Sequence, residues 1–136
     1  MPELDKWKSE LCQEVRDVVE KVRDDLVALC PAGCDEMRMK SLFRGFHTVA
    51  GTARQFRLAE LESIGLSLEQ VVARLRWEHR RMDGETLELL LEGTDVICDL
   101  VDAWAQGSRC LTPPDFRQRV FEATGAAPGP AEAIRK

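Results

Sequence analysis

The sequence predicts an all-α protein, an up-and-down antiparallel four-helix bundle with a short fifth helix at its C-terminal end. Apolar residues return every three, four or seven positions along four long stretches. Turn chemistry closes each stretch within a few residues, and nowhere does the pattern alternate with period two. Long amphipathic helices joined by short loops must lie antiparallel to their neighbours. At 136 residues the chain holds one domain, residues 1–124, followed by a Gly/Ala/Pro-rich linker or tail at 125–136. That ending suggests the front module of something longer, or a chain cut there.

The first helix is expected from about Leu4 to Leu29, carried by Leu4, Leu11, Val15, Val18, Val22, Leu26 and Leu29. Cys30-Pro31-Ala32-Gly33 should end it, because Pro removes a donor and Gly accepts the left-handed cap. Asp35 then caps a second helix with Met39, Leu42, Phe43, Phe46, Val49, Ala50, Ala53 and Phe56 on its apolar side. The third carries Leu58, Leu61, Ile64, Leu68, Val72 and Leu75, and Asp83-Gly84 breaks the pattern. Leu87, Leu90, Leu91, Thr94, Ile97, Val101 and Trp104 mark the fourth. Thr112-Pro113-Pro114-Asp115 reads as a helix start with Thr as cap, opening a short fifth helix over about 113–123.

Composition excludes several functions. A net charge of -5 argues against general affinity for nucleic acid, which requires a basic footprint. No apolar run approaches the ~18 residues of a membrane span, and the N-terminus begins no secretory signal. A cytoplasmic protein with no membrane association is expected. Five cysteines at irregular spacing fit a reducing compartment, with Cys12 and Cys98, at apolar helix positions, expected as small core residues. Cys30 and Cys34 flank a turn without the further ligands a zinc site needs, so no metal and no cofactor are expected.

Chemistry must therefore come from side chains beside a groove. His79 lies in a charged helix end, Arg76-Trp77-Glu78-His79-Arg80-Arg81, where a solvated role is expected. His47 projects about 100° from Phe46, at the margin of the apolar stripe. Lys40, Arg44, Gly51 and Arg54 share its edge, at offsets of -7, -3, +4 and +7. Gly51 costs ~1 kcal/mol relative to Ala inside a helix, and a need for open space next to His47 would account for it. The rival reading makes His47 a boundary residue and Gly51 a helix-packing contact. On the third helix, Glu69 lies about 100° from Leu68, again at a margin, where on its own it reads as a solvated surface charge, unless an antiparallel neighbour brings it to the histidine edge. A carboxylate there would fix the imidazole tautomer and leave the other nitrogen free.

The segment Leu42-Phe43-Arg44-Gly45-Phe46-His47-Thr48-Val49-Ala50-Gly51-Thr52 resembles the motif of histidine-containing phosphotransfer domains, roughly Phe-Arg-x-x-His-[Ser/Thr]-[Ile/Leu/Val]-Lys-Gly-[Gly/Ser/Thr]. The resemblance runs through Phe56, Leu61 and Glu69 into Leu90-Leu91-Glu92-Gly93-Thr94-Asp95, over about residues 4–106. It is greatest to the N-terminal phosphotransfer domains of chemotaxis histidine kinases of the CheA type. The resemblance implies that His47 is the phosphoacceptor, that Glu69 orients its imidazole, and that Gly51 leaves space for the phosphoryl group. It departs at Ala50, where the family usually has Lys, and at Leu66, where the third helix often has His. Lys40, Arg44 and Arg54 are then the cations available to phosphate or partner.

The implied role is that of a phosphocarrier in a two-component or chemotaxis-type phosphorelay. A histidine kinase catalytic domain, in this chain's protein or another, would load His47, and a response-regulator receiver domain with its own acidic pocket and Mg²⁺ would unload it. The chain lacks a Gly-rich phosphate loop, so it does not phosphorylate on its own. Two alternatives stand beside this reading. One is a degenerate phosphotransfer fold that only docks or inhibits, because Ala50 replaces the usual Lys. The other is a structural bundle with no phosphorelay role.

Overall fold

The computed structural model describes residues 2–32, 35–79 and 81–124, with the side chains of these residues except 2–5 and 30–32. Five helices follow in order: α1 (Pro2–Ala32), α2 (Glu36–Gln55), α3 (Ala59–Trp77), α4 (Gly84–Ala105) and α5 (Pro114–Thr124). No strand occurs among the described residues. Helix α1 packs on α2 and α4, α3 packs on α2 and α4, and among the described residues the backbones of neither diagonal pair approach each other. That is the up-and-down square, with α5 laid against α3 and α4.

The antiparallel register is pinned by charges. Arg23 of α1 donates to Asp95 of α4 at 2.7 Å, and Arg16 pairs with Asp102 two turns away. Across α2 and α3, Arg54 reaches Glu62 at 2.7 Å and Arg76 reaches Glu36 at 3.0 Å. Exposed pairs of this kind contribute at most about 1 kcal/mol each. The stabilisation comes from the core, where Leu26, Leu42, Phe46, Leu68, Leu90 and Ile97 are fully buried.

Several details depart from the expectations. Helix α1 continues through Pro31 to Ala32. Proline in the last turn forfeits one backbone hydrogen bond, a smaller loss than in a helix interior. The expected cap at Gly33, and Cys34, lie outside the described residues. Val19 belongs to the core while Val18 is half-buried, because α1 faces two neighbours and its apolar stripe is wide. For the same reason Leu89, Val96 and Leu100 of α4 are buried, whereas Leu87, Leu91 and Trp104 are half-buried. At α5 the cap position falls on Pro113, whose carbonyl accepts from Arg117 N–H at 3.0 Å. Thr112 instead donates its backbone N–H to Glu60 of α3 at 3.0 Å, which fastens the α4–α5 connection to the bundle.

The turn between α2 and α3 sets the geometry of the site. Leu58 N–H donates to Ala53 O at 2.8 Å and Arg57 N–H to Arg54 O at 3.2 Å, the paired bonds of a Schellman cap. Its left-handed residue is Arg57, at φ 59°, where glycine would be unstrained. The same cap ends α4 at Gly107, φ 76°.

Candidate functional site

Asp35 starts α2 as expected, accepting from Met37 N–H at 3.0 Å and Arg38 N–H at 3.3 Å. Three turns on, the helix presents His47 at the margin of its buried face, with a side chain 68% exposed. Phe46 and Ala53 are buried. Phe43 and Phe56 are only half-buried, since both lie where α2 meets a neighbour at the bundle surface. Phe43 stacks almost parallel to the imidazole, ring centroids 6.2 Å apart at 9°. Arg76 of α3 covers the Phe43 ring at 5.7 Å. Phe56 packs edge-on against Trp7, at 4.8 Å.

Glu69 lies opposite His47, its Oε1 3.0 Å from the imidazole Nδ1. The carboxylate is nine-tenths buried. It can only accept, so the contact places the proton on Nδ1 and leaves the lone pair on Nε2. The second oxygen, Oε2, is buried with no hydrogen-bond partner. A buried unsatisfied acceptor costs about 1–3 kcal/mol, so fold stability does not account for a glutamate here.

Two small residues make the contact possible. A Cβ added to Gly65 would stand 3.1–3.2 Å from the backbone and Cβ of Ala50, so α3 rests directly on α2 at that point. Ala50 is accordingly 4% exposed, beneath the α3 backbone and away from the open edge. Leu66, beside it, is half-buried.

The expected site residues separate into groups. His47 and Glu69 are brought together. Gly51 is exposed on the same edge, and a Cβ there would meet nothing within 4 Å. The packing role considered for it is therefore overturned. Lys40 and Arg44 are exposed, and no ion pair engages either among the described residues. Arg54 is committed to Glu62. His79 is exposed in the turn after α3, at φ 53°.

Sequence reasoning passed over the Phe43 stack, Arg76 and Gly65. It also missed Asp25, 1% exposed, which accepts from Ser41 Oγ at 2.5 Å and Arg38 at 3.1 Å and so ties α1 to the start of α2. A carboxylate inside an otherwise apolar stripe was the available signal for Asp25.

The chain belongs to the Hpt domain family, whose model matches residues 6–107. Among characterised relatives it is similar to the chemotaxis protein CheA of Cereibacter sphaeroides, 26% identical over 116 residues, or 84% of this chain and 17% of that protein. It is similar to CheA of Treponema pallidum at 25% identity, covering 89% of this chain and 15% of the relative. CheA of Klebsiella aerogenes is 26% identical over 67% of this chain and 14% of its own length. The chain thus spans about a sixth of these relatives. In fold it matches the phosphorylated P1 domain of CheA3 in complex with CheY6 from R. sphaeroides, with TM-score 0.72 and 24% identity over 89% of this chain and 94% of that one. No described helix is long and apolar enough to cross a membrane.

Proposed function

We propose that His47 carries a phosphoryl group between a histidine kinase catalytic domain and an aspartate of a response-regulator receiver domain. One observation carries the reading: an exposed imidazole whose Nδ1 is held at 3.0 Å by a buried carboxylate, with Nε2 left to solvent. The Nε2 lone pair attacks the γ-phosphorus of ATP held by the kinase. The P–Nε2 bond forms as the P–O bond to ADP breaks, and the electron pair leaves on ADP. Positive charge develops on the ring, and Glu69 stabilises it through the Nδ1–H. In the second half-reaction an aspartate oxygen attacks the same phosphorus and the P–N bond breaks, returning the pair to Nε2.

Gly51 supports the same reading. It weakens α2 without satisfying any contact inside the chain, so the need for open space lies with an approaching partner. Arg44, three residues before His47 on its edge, and Lys40, one further turn back, are the cations available to the phosphoryl oxygens or the partner. The matched phosphotransfer domain was captured with a CheY receiver, which agrees with a receiver as the acceptor for this chain.

Incubation with ATP and a chemotaxis kinase catalytic core tests the reading. An acid-labile, base-stable label is expected on the chain. His47→Gln abolishes it with an unchanged helical spectrum, and Glu69→Ala slows uptake without eliminating it. Label persisting in the His47 variant would put the phosphoryl group elsewhere. A wild-type chain that takes no label would leave the docking-only reading in its place.

A further inference from the structure

An imidazole that is 68% exposed is held by few atoms, and the χ2 torsion of histidine has a broad profile. The bond between Nδ1 and Glu69 Oε1 fixes one line through the ring. Rotation about that line remains open, and it swings the plane of the imidazole. The Nε2 lone pair lies in that plane. Phosphoryl transfer needs the attacking and leaving atoms roughly in line, so a rocking ring loses the alignment on which the step depends.

Phe43 removes this freedom. Side chains four residues apart on a helix are neighbours, so Phe43 and His47 meet as soon as α2 forms. Their rings lie 9° from parallel with centroids 6.2 Å apart, within the range of about 4.5–7 Å for an offset stack. Glu69 on α3 sets the line, and Phe43 on α2 sets the plane. The fold does not account for Phe43 in the way it accounts for Phe46, which is fully buried, since Phe43 stays half-buried at the stripe margin.

The phenyl ring is itself held. It packs against the core cluster, and the Arg76 guanidinium of α3 covers it at 5.7 Å. Arg76 is tied in turn, donating from Nε at 3.3 Å and from Nη2 at 3.0 Å to Oε1 of Glu36 at the start of α2. The contacts run from α2 to α3 and back to α2, so the plane of the imidazole depends on the same interhelical register that brings Glu69 to Nδ1.

Resting on the phosphotransfer reading, we infer that Phe43 is a positioning residue for the His47 imidazole and that Arg76, anchored by Glu36, keeps the Phe43 ring in place. An aromatic pair of this kind corresponds to about a two- to tenfold change in a rate that depends on it. The stack aligns the ring and binds no kinase, so its loss falls on kcat and leaves KM alone.

The test follows phosphorylation of the whole chain by a chemotaxis kinase catalytic core at saturating ATP, with the chain as the varied substrate. Phe43→Leu keeps an apolar side chain and removes the flat face. It is expected to lower kcat about three- to tenfold at unchanged KM. Phe43→Tyr keeps the face and recovers most of the rate. Arg76→Gln, which leaves the core untouched, lowers kcat about twofold. Proton NMR reads the stack itself: the His47 ring C–H signals carry a phenyl ring-current shift that Phe43→Leu removes and Phe43→Tyr retains. Circular dichroism verifies that each variant is folded. Wild-type kcat in Phe43→Leu overturns the proposal, as does a rise in KM alone, which would make Phe43 a contact of the kinase. So does a Phe43→Tyr chain as slow as Phe43→Leu, and unchanged kcat and His47 signals in Arg76→Gln overturn the role given to Arg76. The two readings fail separately: a wild-type chain that takes no label removes phosphotransfer, and a labelled chain indifferent to Phe43→Leu removes the positioning role alone.

Discussion

Replacing Gly51 with alanine sets folding against function at a single methyl group. The residue lies within α2, and the space where its Cβ would stand is empty to 4 Å, so alanine introduces no clash. It removes backbone freedom from the unfolded chain, which stabilises a compatible helical site by about 0.4–1 kcal/mol. At ~2.1 cal/mol/K per residue, a domain of this size has an unfolding entropy of roughly 0.25 kcal/mol/K, so the melting temperature rises by about 2–4 °C. The same methyl group occupies the edge one turn from His47, where the phosphoryl group and its acceptor must both fit. Transfer from labelled chain to receiver is expected to slow several-fold while the domain becomes more stable. Thermal melts and single-turnover transfer on one preparation give both numbers. A fall in melting temperature would show that the glycine serves the fold, and a stabilised variant with unchanged transfer would show that the open space serves nothing.

Gly65→Ala should act in the opposite sense, since its Cβ meets the Ala50 backbone at 3.1–3.2 Å; overpacking of about 1–3 kcal/mol is expected, together with slower uptake as Glu69 is moved from His47. Stability and uptake that both match the wild type would show that the α2–α3 contact is compliant. Among the cations, Arg44→Ala should slow transfer more than Arg54→Ala, because Arg54 is already held by Glu62 at 2.7 Å; equal effects in a labelled-transfer assay would refute that ordering. Acid should loosen α5. Burial of Glu60 opposes its ionisation, but hydrogen bonds from Thr112 and the Arg117 guanidinium outweigh it and hold its pKa below the ordinary 4.5. A lowered carboxylate pKa contributes stability above the unfolded value, lost as pH falls through the folded one. The stability gap between wild type and Glu60→Gln should thus be full at pH 7 and close below about pH 4.5, as thermal melts across that range would reveal; a gap independent of pH would mean Glu60 acts through packing alone.

Much of the site was legible because it depends on local geometry. A histidine 100° from a buried phenylalanine falls at the stripe margin whatever the helix packs against, and His47 is exposed accordingly. The same argument put Glu69 at the margin of α3, but not at 3.0 Å from the ring; only the matched motif suggested that meeting. Phe43 illustrates the limit. Periodicity assigns it to the core, while in the fold it is half-buried as the surface against which the imidazole stacks. Arg54 was equally eligible with Arg44 on a helical wheel, and Glu62 on the opposite helix removes it from the pool.

The sequence by itself determined that the chain is helical, where each helix presents its apolar stripe, and that one histidine stands at an edge rather than in the core. These follow from a 3.6-residue repeat acting over a few turns. The tertiary structure decided what that histidine meets. Residues 22 apart in sequence come together only because a left-handed Arg57 turns α3 back, and because Gly65 lets its backbone settle onto Ala50. The interhelical register is a property of packing, and no repeat within either helix contains it.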